Sequence, residues 1–444
     1  MKKFLTILMA VLIGTLLVHN AYAGGPPPKN VMKGIFTQLD PANKTVTIKI
    51  DGHDDLRILN IGPDVTIDDI VLDKKVMVSL DPNGGPNVIK DISLMFFEMT
   101  VTKVIALLVI GLIGGLLSGF IGSGGAFVLT PAMMSLGAPG AVAVASNMCH
   151  KFPKAMVGAY KRWKYGQVDI KLGLVMAVTA IIGVEIGIRI QQMILNHWGN
   201  AGSNLYVSVV FVLVLAIVGG YILRDALTMT KGATEAKTSN LALRMQKIEL
   251  WPMMEFKVAR VRISAWITVP VGLFTGMLAA TIAVGGFIGV PGMIYVVGAS
   301  AMVASATELV VAFVMGAFGS VQWGIAGLID IRMTLLILAG SLIGVQLGAL
   351  GTTYVKDYTI KLVMAAVMLI VAVSRGAKVP IYLADLDLIP RLQHQLFVAL
   401  DGISFWALMV ALGVAGIIIS AAMVKGMLLD RAERQGQPIK EAVG

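Results

Sequence analysis

The sequence predicts an all-α polytopic membrane protein with an inverted internal repeat and broken, re-entrant helices, preceded by a small all-β N-terminal exported domain. Three observations lead to this fold class. Of the 444 residues, 57% are hydrophobic and only 14% are charged, whereas soluble domains average roughly 25% charged residues. A polar, strand-like segment precedes a series of apolar blocks. Two halves of the apolar region also match each other at a constant spacing.

The N-terminus is typical of an export signal. Lys2 and Lys3 precede an apolar run from Phe4 to Val18, and Ala21-Tyr22-Ala23 supplies a small-x-small cleavage pattern. The run is shorter than the ~20 residues that a membrane-spanning helix needs. We therefore predict a signal peptide over residues 1–23, with an uncleaved anchor as the alternative.

Residues 24–98 predict a small β-rich domain outside the cytoplasm. Thr45–Ile50 alternates apolar and polar residues with period two, as a strand does when one face is buried. Turn signals such as Asp40-Pro41 and Gly62-Pro63 separate the predicted strands. The expected fold is a compact barrel or sandwich.

The apolar region contains an internal repeat. Adding 161 to a position between Gly111 and Gly187 gives its counterpart in the second half, without a gap. Asp169-Ile170-Lys171, for example, matches Asp330-Ile331-Arg332. At the same spacing, the pair Gly124-Gly125 matches Gly285-Gly286. The glycine-rich blocks that begin at these pairs are too short to span a membrane and each contains a proline, which indicates broken or re-entrant segments.

Basic residues orient the two copies. They concentrate after the third apolar block, between the copies and in the C-terminal tail, which the positive-inside rule places in the cytoplasm. An odd number of blocks separates the exported domain from the segment between the copies, so the second copy is predicted to be inverted. The predicted units are membrane repeat 1 (101–223), a basic cytoplasmic loop (224–262), membrane repeat 2 (263–373), an extracytoplasmic loop (374–400), an extra transmembrane helix (401–424) and a basic cytoplasmic tail (425–444).

Two motifs resemble a known family. Gly122–Pro131, followed by Ala145-Ser146-Asn147, resembles the first-repeat motif of the TauE/SafE sulfite exporter family, and Gly285–Pro291, followed by Ala306-Thr307, resembles its second-repeat motif. The resemblance covers roughly 104–373 and implies transport of sulfite and other small sulfur-containing or organic anions. The β domain, the basic loop and the extra helix depart from the family's shorter pattern.

The glycine-rich breaks are the first candidates for anion binding. A break beside a helix N-terminus exposes backbone N–H groups that suit an anion, and two breaks from inverted copies would converge near the membrane midplane. The alternative is that the glycines only allow close helix packing. The candidates are Ser123, Gly124 and Gly125 from the first copy and Val284, Gly285 and Gly286 from the second.

The third block of each copy is unusually polar. Ser146 and Asn147 in the first copy and Thr307 in the second are further candidates for substrate binding. Glu308, the counterpart of Asn147, has no basic residue within four positions, so a role in proton coupling is predicted, with a neutral hydrogen-bonded acid as the rival. His150 titrates near neutrality and is a second candidate for proton coupling, although a structural hydrogen bond would also explain it.

Other charged residues in these blocks have simpler interpretations. Lys151 either faces the anion path or marks the cytoplasmic end of its block, and the second interpretation is preferred for Lys154. Asp169 and Asp330 each precede a predicted helix, where an acid favours the helix dipole, so both are predicted to be caps.

These features favour a secondary transporter, a permease for a small anion such as sulfite or an organosulfonate, working in export. An uptake system or a channel is the alternative within transport, and a membrane sensor with an extracytoplasmic ligand-binding domain is a third. The sequence has no His-Glu-x-x-His motif and no clustered Cys and His. It therefore predicts no enzyme, no catalytic residues, no metal and no cofactor.

The expected partners are the anion and the lipid bilayer, and a homo-oligomer is compatible with the sequence. The net charge of +10 does not predict nucleic-acid binding, because the basic residues lie between apolar blocks. The predicted location is the inner membrane, with the N-terminal domain outside and the C-terminus in the cytoplasm.

Overall fold

The computed structural model describes residues 31–50, 55–63, 65, 67, 70, 72–81, 87–94, 96, 99–121, 125–229, 240–351 and 357–434. The predicted signal peptide lies outside these residues, as do the candidate site residues Ser123 and Gly124.

The N-terminal region forms a closed five-stranded barrel in the order β1-β2-β3-β5-β4, so the expected compact barrel or sandwich is a barrel. Antiparallel pairing joins all neighbours except β3 and β5, which pair in parallel. The predicted alternation holds in β2, where Val46 and Ile48 point into the core beside Phe36. The strands are β1 (Val31–Asp40), β2 (Thr45–Ile50), β3 (Leu56–Ile61), β4 (Lys75–Leu80) and β5 (Val88–Leu94).

The rest of the chain is mostly helical. Within the described ranges, seven helices are long and apolar enough to cross a membrane. The helices are α1 (Val101–Ile121), α2 (Ala126–Ser135), α3 (Gly140–Lys164), α4 (Ile170–Met229), α5 (Asn240–Gln246), α6 (Ala265–Ile282), α7 (Gly286–Gly292, continued by a π-helical turn Met293–Val297), α8 (Ala301–Ile325), α9 (Ile331–Gly351), α10 (Asp357–Asp385) and α11 (His394–Arg434).

Helix α4 is two helices joined at a sharp kink. Its 60 residues would extend about 90 Å at 1.5 Å per residue, far beyond the ~30 Å of a bilayer core. Gly199 divides it with φ of 62° and ψ of −158°, a conformation that a residue with a Cβ rarely adopts. The kink therefore divides this segment into two apolar helices, as the two apolar blocks of this region predict.

Two segments are more ordered than the sequence predicts. The segment predicted as a basic loop contains α5 and a hairpin of β6 (Met253–Phe256) and β7 (Val261–Ser264). Helix α10 continues to Asp385, although the apolar block was expected to end at Val373. The longer helix contains Arg375, which is fully buried and does not lie in a loop.

Glycines bring α1 and α9 into close parallel contact. A Cβ on Gly115 would overlap the Ser341 carbonyl oxygen, and one on Gly111 would lie 2.5 Å from the Ile337 carbonyl oxygen. In return, a Cβ on Gly344 would overlap the Leu112 carbonyl oxygen. Small residues are what allow backbones to approach this closely in membrane helices.

Helices α6 and α4 repeat the same contacts at a spacing of 161. Gly276 lies against Ala180, as Gly115 lies against Ser341, and Gly183 lies against Leu273, as Gly344 lies against Leu112. Each contact therefore joins the first helix of one copy to the fourth helix of the other. The internal repeat seen in the sequence is thus also a repeat of packing.

This packing predicts the cost of adding one methyl group. Gly276→Ala should lower the free energy of unfolding by about 1–3 kcal/mol, because the new Cβ overlaps the Ala180 carbonyl oxygen and the helices must separate. Gly115→Ala should have an effect of similar size. Gly220→Ala is the matched control, since nothing lies within 4 Å of its added Cβ. Reversible unfolding in mixed micelles measures the free energy of unfolding of the three variants. Equal values for Gly276→Ala and Gly220→Ala would contradict the prediction.

Candidate functional site

The polar helices α3 and α8, which are counterparts at the spacing of 161, lie side by side and run antiparallel. Met148 contacts Gly319, Phe152 contacts Gly316, and Gly158 contacts Leu309. As the residue number rises along one helix it falls along the other. We call this contact the α3–α8 interface, and most of the predicted polar site residues lie in it.

Reciprocal hydrogen bonds close the two ends of the interface. The Ser146 hydroxyl accepts from the backbone N–H of Asp330 at 3.0 Å. At the other end, the Thr307 hydroxyl accepts from the backbone N–H of Asp169 at 3.1 Å. Both predicted substrate-binding hydroxyls therefore hold the turn before a helix of the opposite copy.

Asp169 and Asp330 are helix caps, as predicted. Asp169 accepts from the Leu172 N–H at 3.1 Å, and Asp330 accepts from the Met333 N–H at 3.3 Å. Their second oxygens differ. That of Asp169 accepts from the backbone N–H groups of Val258 and Ala259 in the β6–β7 hairpin, while Asp330 pairs with the guanidinium of Arg332 at 3.0 Å.

Asn147 is a fully bonded buried amide. Its Nδ2 donates to the Ala126 carbonyl oxygen at 3.0 Å and to the Thr130 hydroxyl at 2.8 Å. Its Oδ1 lies 3.3 Å from Nδ1 of His150, whose Nε2 lies 2.7 Å from the Ser341 hydroxyl. A neutral His150 that carries its proton on Nδ1 and accepts from Ser341 satisfies every group in this chain of hydrogen bonds.

Glu308 is as deeply buried as Asn147 but makes no hydrogen bond with any described residue through either carboxylate oxygen. The carboxylate lies against Gly289 in α7, where a Cβ would overlap it. Lys151 in α3 is likewise buried, and its ammonium has no hydrogen-bond partner among the described residues. The charges of Lys151 and Glu308 are nevertheless close enough to attract each other.

Lys154 is also buried, which its preferred interpretation as a mark of the cytoplasmic end of the block did not anticipate. It is 7% exposed, one turn beyond His150 on the same face of α3, and close enough to Lys151 to interact electrostatically. Two buried lysines therefore lie beside each other, and the buried carboxylate of Glu308 attracts one of them, Lys151. If all three are ionised, the interface carries one uncompensated positive charge, which suits an anion.

The broken helices meet at their starts. Phe127 in α2 and Phe287 in α7 are buried and pack edge to face, with ring centroids 4.9 Å apart. The Thr130 hydroxyl also donates to the Ile282 carbonyl oxygen at the end of α6, at 3.5 Å. The two short helices thus meet through Phe127 and Phe287, whereas Gly125 packs against α1 and Gly285 packs against α6.

At the breaks the counterparts are 160 positions apart, so the gapless match at 161 is wrong there. Gly125 and Gly285 each directly precede a short helix, and Cβ atoms on them would crowd the carbonyl oxygens of Gly114 and Thr275. The π-helical turn Met293–Val297 supplies the extra residue that restores the spacing of 161 before α8. These crowded glycines therefore serve close packing, the alternative considered above, and Val284 and Gly286 are buried beside them.

Sequence reasoning missed Arg375 entirely. Its guanidinium is fully buried in α10, and two of its three nitrogens have no partner among the described residues. In the sequence, Arg375 directly follows a long apolar run. An arginine in that position more often marks the end of a transmembrane helix than a buried site, so the sequence carried no clear signal for its burial.

Comparisons with known proteins identify a family of membrane transporters that resembles this chain. The profile of the family described as "Sulfite exporter TauE/SafE" matches residues 107–375. Two similar proteins are the probable membrane transporter proteins YdhB and YjnA of Bacillus subtilis (strain 168). YdhB is 22% identical over 253 residues, covering 56% of this chain and 89% of YdhB. YjnA is 21% identical over 267 residues, covering 60% of this chain and 97% of YjnA. No solved structure matches the chain.

The Asn147 network gives a stability prediction. Asn147→Ala should lower the free energy of unfolding by about 1–3 kcal/mol, because the Thr130 hydroxyl and the His150 ring lose a buried hydrogen-bond partner. Ser208→Ala is the matched control, because the buried Ser208 hydroxyl has no partner among the described residues and its loss should cost little. Chemical unfolding of both variants in micelles makes the comparison, and equal losses would refute a special role for Asn147.

Proposed function

The chain belongs to the sulfite exporter TauE/SafE family, and from that premise we propose that it is a secondary transporter that exports a small anion, sulfite or an organosulfonate. The observation that carries the proposal is the pair of buried lysines in the α3–α8 interface, Lys151 and Lys154, of which Lys151 is attracted by the carboxylate of Glu308 and Lys154 has no carboxylate partner among the described residues. Burying an unpaired charge is costly, so an anion bound beside Lys151 and Lys154 would relieve the interface.

Glu308 and the anion compete for the same lysine in this proposal. When Glu308 is ionised it attracts Lys151, and when it takes up a proton the Lys151 ammonium is free to bind the anion. Gly289 leaves the carboxylate room to move between these states without meeting a side chain of α7. Binding of the anion is therefore coupled to binding of a proton at Glu308.

The remaining predicted site residues receive supporting roles in the proposal. Ser146 and Thr307 position the helix starts at the two ends of the interface, since their hydroxyls already bond the opposite copy. His150 supports Asn147, because its Nδ1 lies 3.3 Å from the Asn147 Oδ1 and its Nε2 is held by the Ser341 hydroxyl at 2.7 Å. Backbone N–H groups of Ser123 and Gly124 at the first break stay predicted anion contacts.

The direction of transport follows from the charge that moves. An anion that keeps a net negative charge after it takes up one proton is driven outward by a membrane potential that is negative inside. The competition at Lys151 favours a second candidate function, uptake, because a monovalent anion that travels with one proton carries no net charge. An inward proton gradient would then drive the pair inward. Flux measurements separate the two directions.

We also propose that the copies are inverted in an inner membrane. Support comes from the antiparallel contact of the counterpart helices α3 and α8, together with the odd number of apolar blocks before the second copy. In this arrangement the barrel is outside, and α5 with the β6–β7 hairpin is in the cytoplasm. Helix α11 then returns the C-terminus to the cytoplasm.

Proton coupling at Glu308 can be measured in proteoliposomes with a clamped membrane potential. We expect a pH difference of one unit to change the accumulation ratio of methanesulfonate about tenfold in the wild type, since one pK unit equals a factor of ten in an equilibrium. Glu308→Gln should still transport but show no dependence on the pH difference. Methanesulfonate is suitable because it stays charged at every pH used.

The matched control for that experiment is Glu185→Gln. Glu185 is also an acid in a membrane helix, but it already bonds Arg189 at 2.7 Å and Gln322 at 2.7 Å. Its variant should keep the tenfold response. A response retained in Glu308→Gln would remove the coupling role, and absence of any flux in the wild type would remove the transporter proposal.

Topology is checked by labelling single cysteines. With Cys149 replaced by alanine, a cysteine within 230–239 and one within 386–393 should react with a membrane-impermeant maleimide from opposite sides of the membrane. Both segments lie between described helices that the proposal places at opposite faces. Labelling of both from one side would rule out the inverted arrangement.

A further inference from the structure

Arg375 lies in a second polar cluster, outside the α3–α8 interface. Its guanidinium Nη2 donates to the hydroxyls of Ser135 at 2.7 Å, Ser404 at 3.1 Å and Ser374 at 3.3 Å. These serines come from three helices, α2, α10 and α11. Nε and Nη1 are buried and have no partner among the described residues.

Among the residues that the structure describes, the groups around Arg375 do not neutralise its charge. An arginine side chain stays protonated in proteins, so it cannot escape burial by losing its proton. The carboxylate that attracts it electrostatically, Asp401, forms an ion pair with Lys378. The hydroxyl of Tyr382, a further neighbour, is uncharged at neutral pH. The cluster therefore keeps one unpaired positive charge.

The cluster also offers hydrogen-bond donors in excess of acceptors. Nε carries one N–H and Nη1 carries two, and all three point to no acceptor among the described residues. The Ser374 hydroxyl is used, because it donates to the Ser404 carbonyl oxygen at 2.7 Å. The Ser404 hydroxyl accepts from Arg375 and points its proton to the Ser374 oxygen, 3.3 Å away. The Ser135 hydroxyl accepts from Arg375 and keeps a proton that can be donated. A ligand for this cluster must be negatively charged and rich in acceptors.

We propose that Arg375, with the hydroxyl of Ser135, forms a second binding site for a small oxyanion, and that Ser404 of α11 orients the guanidinium. The site is closed by α11, which lies beyond the residues 107–375 that match the family profile. It is thus a site that the extra helix adds to the shared core. The class of the anion rests on the proposed function. The presence of a site does not, since it follows from the charge and the N–H groups of Arg375 that have no partner among the described residues.

The test uses the full chain, purified in a detergent free of lipid and phosphate, with sulfate and methanesulfonate as probes in calorimetric titrations. The wild type should bind two anions per chain. Arg375→Lys keeps the charge but loses the planar fork, and should weaken one of the two binding events about tenfold or more. Lys151→Met should remove the other event. Arg332→Lys is the control, because Arg332 is paired with Asp330 and its variant should bind like the wild type.

Wild-type binding by Arg375→Lys would overturn the second site, as would binding that appears only when phospholipid is added. If Arg375→Lys is not recovered folded, anomalous scattering from selenate in the wild type decides. A peak beside the Arg375 guanidinium supports the site, and its absence overturns it. The two proposals can fail separately. Anion binding at Arg375 tests the second site, and anion flux through the wild-type protein tests the transporter proposal.

Discussion

Two lysines and one glutamate lie buried between α3 and α8, and the neighbouring helices must keep all three from the lipid. A charged side chain at the centre of a membrane helix costs roughly 2.5–3.5 kcal/mol on insertion scales. The helices that surround the interface include α4, α6 and α9. Two of these are held against their partners by glycines that bring backbones together, as Gly276 does for α6 and Gly344 for α9. Close packing of the outer helices thus keeps the charged side chains of the interface away from the lipid.

The two copies divide the structural and the chemical work at two positions. In the first copy, Asn147 satisfies its amide on α2, and Leu129 fills the space against Gly114. In the second copy, the corresponding residues are Glu308 and Gly289, and the carboxylate occupies the space that a side chain would fill. One copy is therefore a complete hydrogen-bonded scaffold, while the other keeps a titratable group with no bonded partner among the described residues. An exact repeat would leave either no acid or two acids at the centre.

The sequence predicts those features that depend on local pattern. The barrel strands, the paired breaks, the caps at Asp169 and Asp330 and the isolation of Glu308 all follow from spacing and residue type. What it does not predict depends on contacts between distant segments. The shift of one residue at the breaks is an exception, because Phe127 and Pro131 match Phe287 and Pro291 at a spacing of 160 in the sequence itself. The π-helical turn that compensates for this shift has no local signal. The burial of Arg375 likewise depends on serines 29 or more positions away, apart from Ser374.

The two ends of the α3–α8 interface are held with unequal strength. At one end, Asp169 is fixed by Thr307 through its backbone and by two N–H groups of the β6–β7 hairpin through its carboxylate. At the other end, Ser146 accepts from the backbone N–H of Asp330 and from the Thr334 hydroxyl, while the carboxylate of Asp330 pairs with Arg332 of its own copy and holds no described group of the segment between the copies. Movement of the copies against each other would therefore separate the Asp330 end with the smaller loss. This difference comes from the hairpin between the copies, so the segment that joins the repeats also makes their two ends unequal.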